Sequence, residues 1–376
     1  MKKVIWILVI VVLVVMFGGR AWYLQSQKTA ERVDNTIKIG AILPMSGIYG
    51  EEGKDVLACL KIAVDDFNRQ HSQTPVKLSM EDGKYDSQAT ISAYHKLAGE
   101  GIKYFVVYGD NPSYVLAPLT KENKTLVMGI AAADNVTQLS DWVFRSWIST
   151  SYSTKALADF LSDDLKIQNT AVMRINNNYG KEGADGFTKA YQNNGGKIVI
   201  QETYPQDSRD VRSFVAKVLD KKPDSIVVFG FGAGLAAVIN QIMETGYDKP
   251  ILSETAISFP NTYEHVANNA AGVYFVEPII DSNYQGYSDF ATKYKEQRGK
   301  PAVAIHGFSY ESLKLLAEAI ISSQPQTTES VRLKLSGFNN KPTMVGKFGY
   351  DGGREAHAPL AIKQMQQDGT AKIVKE

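Results

Sequence analysis

Four polar side chains fall where one sheet edge would gather them. Ser46, Asp110, Ser113 and Asp134 each lie in a loop just after an apolar run. Hydroxyls, carboxylates and the bare amides of such loops hold a small polar ligand by hydrogen bonds and charge. Bond-breaking chemistry needs neighbours that are missing. His71, His95, His265, His306 and His357 show no metal spacing and have no cysteine partner. Gly307-Phe308-Ser309-Tyr310-Glu311 lacks the closing glycine of a nucleophile elbow and sits in a helical pattern. Gly230-Phe231-Gly232-Ala233-Gly234 fails as a dinucleotide fingerprint, because Leu235 takes the last glycine position. It fits instead a turn in which Phe231 and Gly232 offer backbone groups to a ligand. These residues point to binding without catalysis, cofactor or metal.

The elements that must position them read as alternating strands and helices. Ile37–Leu43 is an apolar run stopped by Pro44, and Ser46, Gly47 and Gly50 make a loop. From Lys54 onward, Leu57, Leu60, Val64 and Phe67 recur at helical spacing. No Gly-Lys-Ser/Thr ends the loop, so it is not a phosphate cradle. Strands follow at Val76–Met80, Tyr104–Val107 and Thr125–Ile130, with a helix over Asp86–Gly99 and another ending at Leu119. The pattern restarts after Phe144–Trp147, with helices at Tyr152–Leu165, Val211–Asp220 and Gly234–Thr245. Strands alternate with them at Thr170–Ile175, Lys197–Gln201, Ser225–Gly230 and Pro250–Ser253. A long helix is expected over Ala302–Ser322 and a hairpin from Gly346. Repeated βα units imply two doubly wound α/β lobes with parallel sheets, and such sheets bind ligands beyond their strand C-termini.

The length of 376 residues suits two such lobes behind a leader. Lys+Arg 41 against Asp+Glu 40, scattered along the chain, gives no footprint for nucleic acid. The single cysteine, Cys59, lies among apolar helix positions and reads as a buried, inert thiol. Residues 1–24 form a signal sequence or membrane anchor: Lys2 and Lys3 precede Val4–Gly19, which holds no charged residue. Gly19-Arg20-Ala21 is a poor cleavage site and Trp22-Tyr23 resemble interfacial anchors, which favours retention in the membrane. Residues 25–36 read as a polar linker.

The strand, the Pro44-Met45-Ser46-Gly47 loop and the helix that follows resemble the opening of Leu/Ile/Val-binding proteins. These are type I periplasmic solute-binding proteins of ABC importers. Further motifs arrive in family order: Phe144-Arg145-Ser146, Asn178-Tyr179-Gly180, Pro223–Gly230, Glu244–Tyr247 and Gly346–Gly353. The resemblance spans Ile37 to Val374 and implies an exported, monomeric protein of two lobes joined by three crossings. The crossings fall near Ser146–Thr150, Pro278–Ser282 and Pro342–Val345. Lobe one is then 37–147 with 279–341, and lobe two 148–278 with 342–376. The implied function is capture of a small polar, amino-acid-like ligand (an amino acid, amide or amine) for an ABC permease. The same fold also serves as a sensor signalling to a membrane receptor.

Carried over by position, the family's carboxylate-binding loops match Asp110–Ser113 and Ala131–Asp134. Pro112 and Ala133 stand there where hydroxyl residues are common, and Asp110 and Asp134 add negative charge. Either aspartate serves equally well as a helix N-cap. Glu254 matches the acid aimed at a ligand ammonium; otherwise it is a solvated loop residue. Tyr179 matches an aromatic lying across the cleft, against a turn tyrosine packed on its own lobe. Tyr49, Glu51 or Glu52 on the first loop reaches the ligand, and His306 matches a pocket-lining helix position.

Overall fold

Buried branched and aromatic residues make the strands. In the computed structural model, which describes residues 35–376 except 207, 209, 351 and 369, they form two main sheets. The first comprises β1 (Ile37–Leu43), β2 (Val76–Asp82), β3 (Tyr104–Tyr108), β4 (Leu126–Ile130) and β5 (Val143–Arg145). Its order is β2-β1-β3-β4-β5, all parallel. Crossovers are made by α1 (Gly50–Gln70), α2 (Ser87–Gly99) and α3 (Asp110–Asn123). Asp86 caps α2 by accepting the Ala89 N–H at 2.9 Å, satisfying one of the helix's orphan donors.

The second sheet is built from β6 (Asn169–Ile175), β7 (Lys197–Tyr204), β8 (Ser225–Phe229), β9 (Ile251–Ser253) and β10 (Tyr274–Pro278). Between them run α4 (Thr150–Asp159, continued by a π turn), α5 (Asn178–Asn193), α6 (Arg212–Asp220), α7 (Gly232–Glu244) and α8 (Pro260–Val266). The antiparallel strands β13 (Leu360–Met365) and β14 (Ala371–Lys375) complete it. The segment between, α9 (Tyr287–Arg298), α10 (Ala304–Ser322) and α11 (Thr328–Ser336), packs with α1 and β1 in the first core. Cys59 is buried there, and burial pushes its thiol well above the usual range.

One expected boundary needs correction. The third crossing does not fall at Pro342–Val345. Met344, Val345, Phe348 and Tyr350 bury in the first core together with the hairpin β11 (Lys341–Thr343) and β12 (Gly346–Phe348). The chain reaches the second sheet only at β13. The leader and linker over 1–34 lie outside the described residues. Among those described, no helix is long and apolar enough to cross a membrane.

Candidate ligand-binding cleft

A cavity of about 770 Å³ is lined by residues that follow β1–β5 on one side and β6–β9 on the other. That is the strand C-terminal edge of both sheets, where the loops are free of the hydrogen-bond ladder.

On the second-sheet wall Glu254 follows β9, only 5% exposed. Tyr179, from the start of α5, donates to its Oε2 at 2.7 Å, and Ser153 of α4 donates to Oε1. Burial raises the Glu254 carboxyl above its ordinary value, and nearby Asp134 and Asp110 add to this; the two hydroxyls oppose it. Among the described residues no cation pairs with it. It is therefore not a solvated loop residue.

The first-sheet wall is built differently. Gly109, at φ +105°, turns the chain from β3 into α3 where a side chain would strike Tyr85. The turn delivers Asp110, whose Oδ1 accepts the N–H groups of Ala132 and Ala133 at 2.6 and 2.9 Å. Beneath them the fully buried Arg145 donates to the carbonyls of Ala131 and Ala133 at 2.9 and 2.6 Å. It also pairs with Glu355 at 2.5 Å, and Thr137 bonds the same carboxylate. Burial pushes Asp110 upward, against the two amides and the Arg145 charge. Half-buried Glu182, on α5 of the second wall, accepts the Asp134 N–H of this one; burial raises it first, Asp110 and Asp134 add to this, and the Asp134 N–H lowers it.

Aromatic rings join the walls. Tyr49 lies 4.2 Å from Tyr85 and 5.6 Å from Phe231 between ring centroids, and Phe231 lies 5.7 Å from Tyr179. Gln206 of the second wall donates to the Tyr49 hydroxyl at 3.3 Å.

Of the anticipated residues, Tyr49, Glu52, Asp110, Ala131, Ala133, Tyr179, Phe231 and Glu254 line the cavity. Five others lie off its lining. Ser46 is exposed and donates to Asp82 at 2.7 Å. Ser113 is buried against Gly129 behind the wall, its hydroxyl without a partner among the described residues. Asp134 accepts the Ser151 N–H, so it caps the start of α4. The Gly232 N–H, expected to face ligand, is taken by Thr262 at 2.7 Å. His306 is buried in the first core, accepting the Val303 N–H at 2.9 Å and stacking on Tyr294. Burial lowers its pKa to about 4, so it is neutral there.

A family model described as "Periplasmic binding protein" matches residues 36–370. The chain belongs to that family. The binding protein is 22% identical over 321 residues to "Leu/Ile/Val-binding protein homolog 3" of Brucella melitensis, covering 84% of this chain and 87% of the relative. A leucine binding protein of Thermotoga maritima superposes with TM-score 0.79 at 20% identity, over 90% of this chain and 97% of the other. A Rhodopseudomonas palustris solute-binding protein in complex with 3,4-dihydroxy benzoic acid gives 0.80 at 19%, over 91% and 96%. These likenesses show the two-lobed α/β fold, and the family's members are binding proteins.

Sequence reasoning did not single out Ser153, Tyr85, Glu182 or Glu355, and it read Arg145 as part of a family motif rather than as a site residue. Arg145 carried a signal, a charge set inside the apolar run Val143-Phe144-Arg145-Ser146-Trp147. Ser153 carried none, since its partner Glu254 is 101 residues away.

Proposed function

We propose that this binding protein acts outside the cytoplasm, capturing a small polar ligand that carries a protonated nitrogen and passing it to an ABC permease. Glu254 carries the reading: a buried carboxylate at a cavity wall, held by two hydroxyl donors, is a seat for an ammonium group. The Lys-rich start and apolar run of the leader support export. The likeness to the Thermotoga maritima leucine binding protein supports an amine-bearing ligand. Two sheets with several chain crossings favour hinge closure, in which ligand stabilises the closed form by its differential affinity.

Thermal melting of the full chain in mild detergent, against amines, amino acids and amides, tests this. A probe at 100 times its dissociation constant adds about 2.7 kcal/mol and a visible shift. X-ray scattering with the same probe should show compaction. Absence of any shift with amine-bearing probes would count against the reading.

A further inference from the structure

We propose that the ligand is a carboxylate-free organic cation charged at both ends, an α,ω-diamine or amine–guanidine. The inference rests on the cleft being the ligand site, and four observations support it.

Among the described residues, the one pair of adjacent backbone amides that holds a carboxylate on the first wall is already filled from within the chain. Asp110 Oδ1 takes the Ala132 and Ala133 N–H groups, at 2.6 and 2.9 Å. The guanidinium behind them is spent on Ala131, Ala133 and Glu355. An incoming carboxylate would have to displace Asp110 into a buried, unpaired state.

The charge of the lining is mostly negative. Glu52, Asp110, Glu182 and Glu254 line the cavity, against Lys84, which is exposed. A zwitterion would bring a further negative charge into this field, and a dication would bring none.

Elsewhere in the molecule, buried carboxylates are given cations. Asp55 meets Arg298 and Lys300 at 2.6 and 2.8 Å, Asp66 meets Lys293 at 2.8 Å, Glu277 meets Lys363 at 2.6 Å, and Glu311 meets Lys314 at 3.4 Å. Glu254, the remaining carboxylate of that burial among the described residues, faces the cavity instead.

The aromatic strip Tyr85–Tyr49–Phe231–Tyr179 connects the walls. It offers flat apolar surface to a methylene stem and ring faces to a cation. One ammonium then sits at Glu254, between Tyr179 and Ser153. The second nitrogen lies between Glu182, one turn beyond Tyr179 on α5, and Asp110 Oδ2 of the first wall, to which no described residue is bonded.

Calorimetry on the full chain in detergent at pH 7.5 compares three probe sets: cadaverine with lysine, agmatine with arginine, and pentylamine, isoleucine and benzoate. At least one diamine-class probe should bind ten or more times tighter than its own amino acid and than pentylamine. Glu182→Gln should weaken cadaverine more than pentylamine, which a merely structural role would not do. Asp110→Ser, checked for folding by melting, should weaken cadaverine and strengthen lysine by freeing the amides. Tighter binding of lysine, arginine, isoleucine, benzoate or pentylamine by the wild-type chain overturns the inference and leaves ligand capture standing. No binding of any probe at millimolar concentration overturns both.

Discussion

Asp55 and Glu254 are both buried carboxylates, yet the fold treats them in opposite ways. Behind the first sheet, Asp55 on α1 lies between Arg298 of α9 and Lys300, and Asp66, about three turns further along the same face, meets Lys293. These pairs tie α9 back onto α1 across more than two hundred residues of sequence. At the cleft, the Glu254 carboxylate has, among the described residues, the hydroxyls of Ser153 and Tyr179 and no cation. Hydroxyl donors make an ionised carboxylate tolerable without neutralising it, and burial still raises its pKa. The fold can evidently supply cations to buried acids. Among the described residues it leaves one without, at the cavity wall, and the proposed function rests on that difference.

The comparison can be broken most forcefully at Asp55. Asp55→Ala leaves Arg298 and Lys300 without their buried partner, a loss on the order of 3–5 kcal/mol. Chemical denaturation should report it as a lower midpoint with unchanged slope. A loss below about 1 kcal/mol would mean that the cluster is not structural cement.

The pH dependence separates the regions next. A carboxyl whose pKa is raised on folding contributes stability that is full below its unfolded value and lost as pH rises through the folded one. The melting temperature of ligand-free wild type, relative to Glu254→Gln, should therefore fall as pH climbs from about 4.5 upward. Taking the difference cancels the carboxylates that shift the other way, such as Asp224 and Asp82. Affinity for a cationic probe has the opposite sense, since the ligand prefers the ionised carboxylate. It should fall on acidification, by up to about tenfold per pH unit below the Glu254 value. A flat difference curve would contradict the raised value.

The smallest expected effect is at Ser153. Ser153→Ala removes one hydroxyl from Glu254 and should weaken amine binding by about 1 kcal/mol, read by calorimetry. Tyr179 and an incoming ammonium still satisfy the carboxylate. A loss as large as that from removing Glu254 itself would mean that Ser153 touches ligand directly.

Much of this framework was legible in local pattern. The apolar runs at Ile37–Leu43, Tyr104–Val107 and Ser225–Phe229 became strands, and Pro44, Gly109 and Gly230 marked their ends. Helices with sparse apolar contacts were not legible. In α9 only Phe290 and Tyr294 are buried, and in α11 only Val331 and Leu335, so neither shows a clear stripe. The start of α1 at Gly50 rather than Lys54 was hidden as well. Its first turn holds no apolar residue, and Gly53 is required because a side chain there would meet the Pro44 carbonyl. At the cleft, Glu254 and Tyr179 were singled out through the family resemblance, at a strand end and a turn, and both line the cavity. The role of Asp110 was not legible, because it depends on amides 22 and 23 residues away meeting its carboxylate. His306 misled for a similar reason: its helix faces the first core, where Tyr294 and Val303 occupy both ring nitrogens.

One pair of measurements on Glu254→Gln tests the central claim most directly. The variant keeps the shape and removes the charge. Without ligand, its melting temperature at pH 7.5 should equal or exceed that of wild type, because an uncompensated buried charge is gone. With the tightest amine found by calorimetry, its affinity should fall by about 2–5 kcal/mol, roughly 30- to several-thousand-fold. Binding within about threefold of wild type, well under that range, would contradict an ammonium at Glu254.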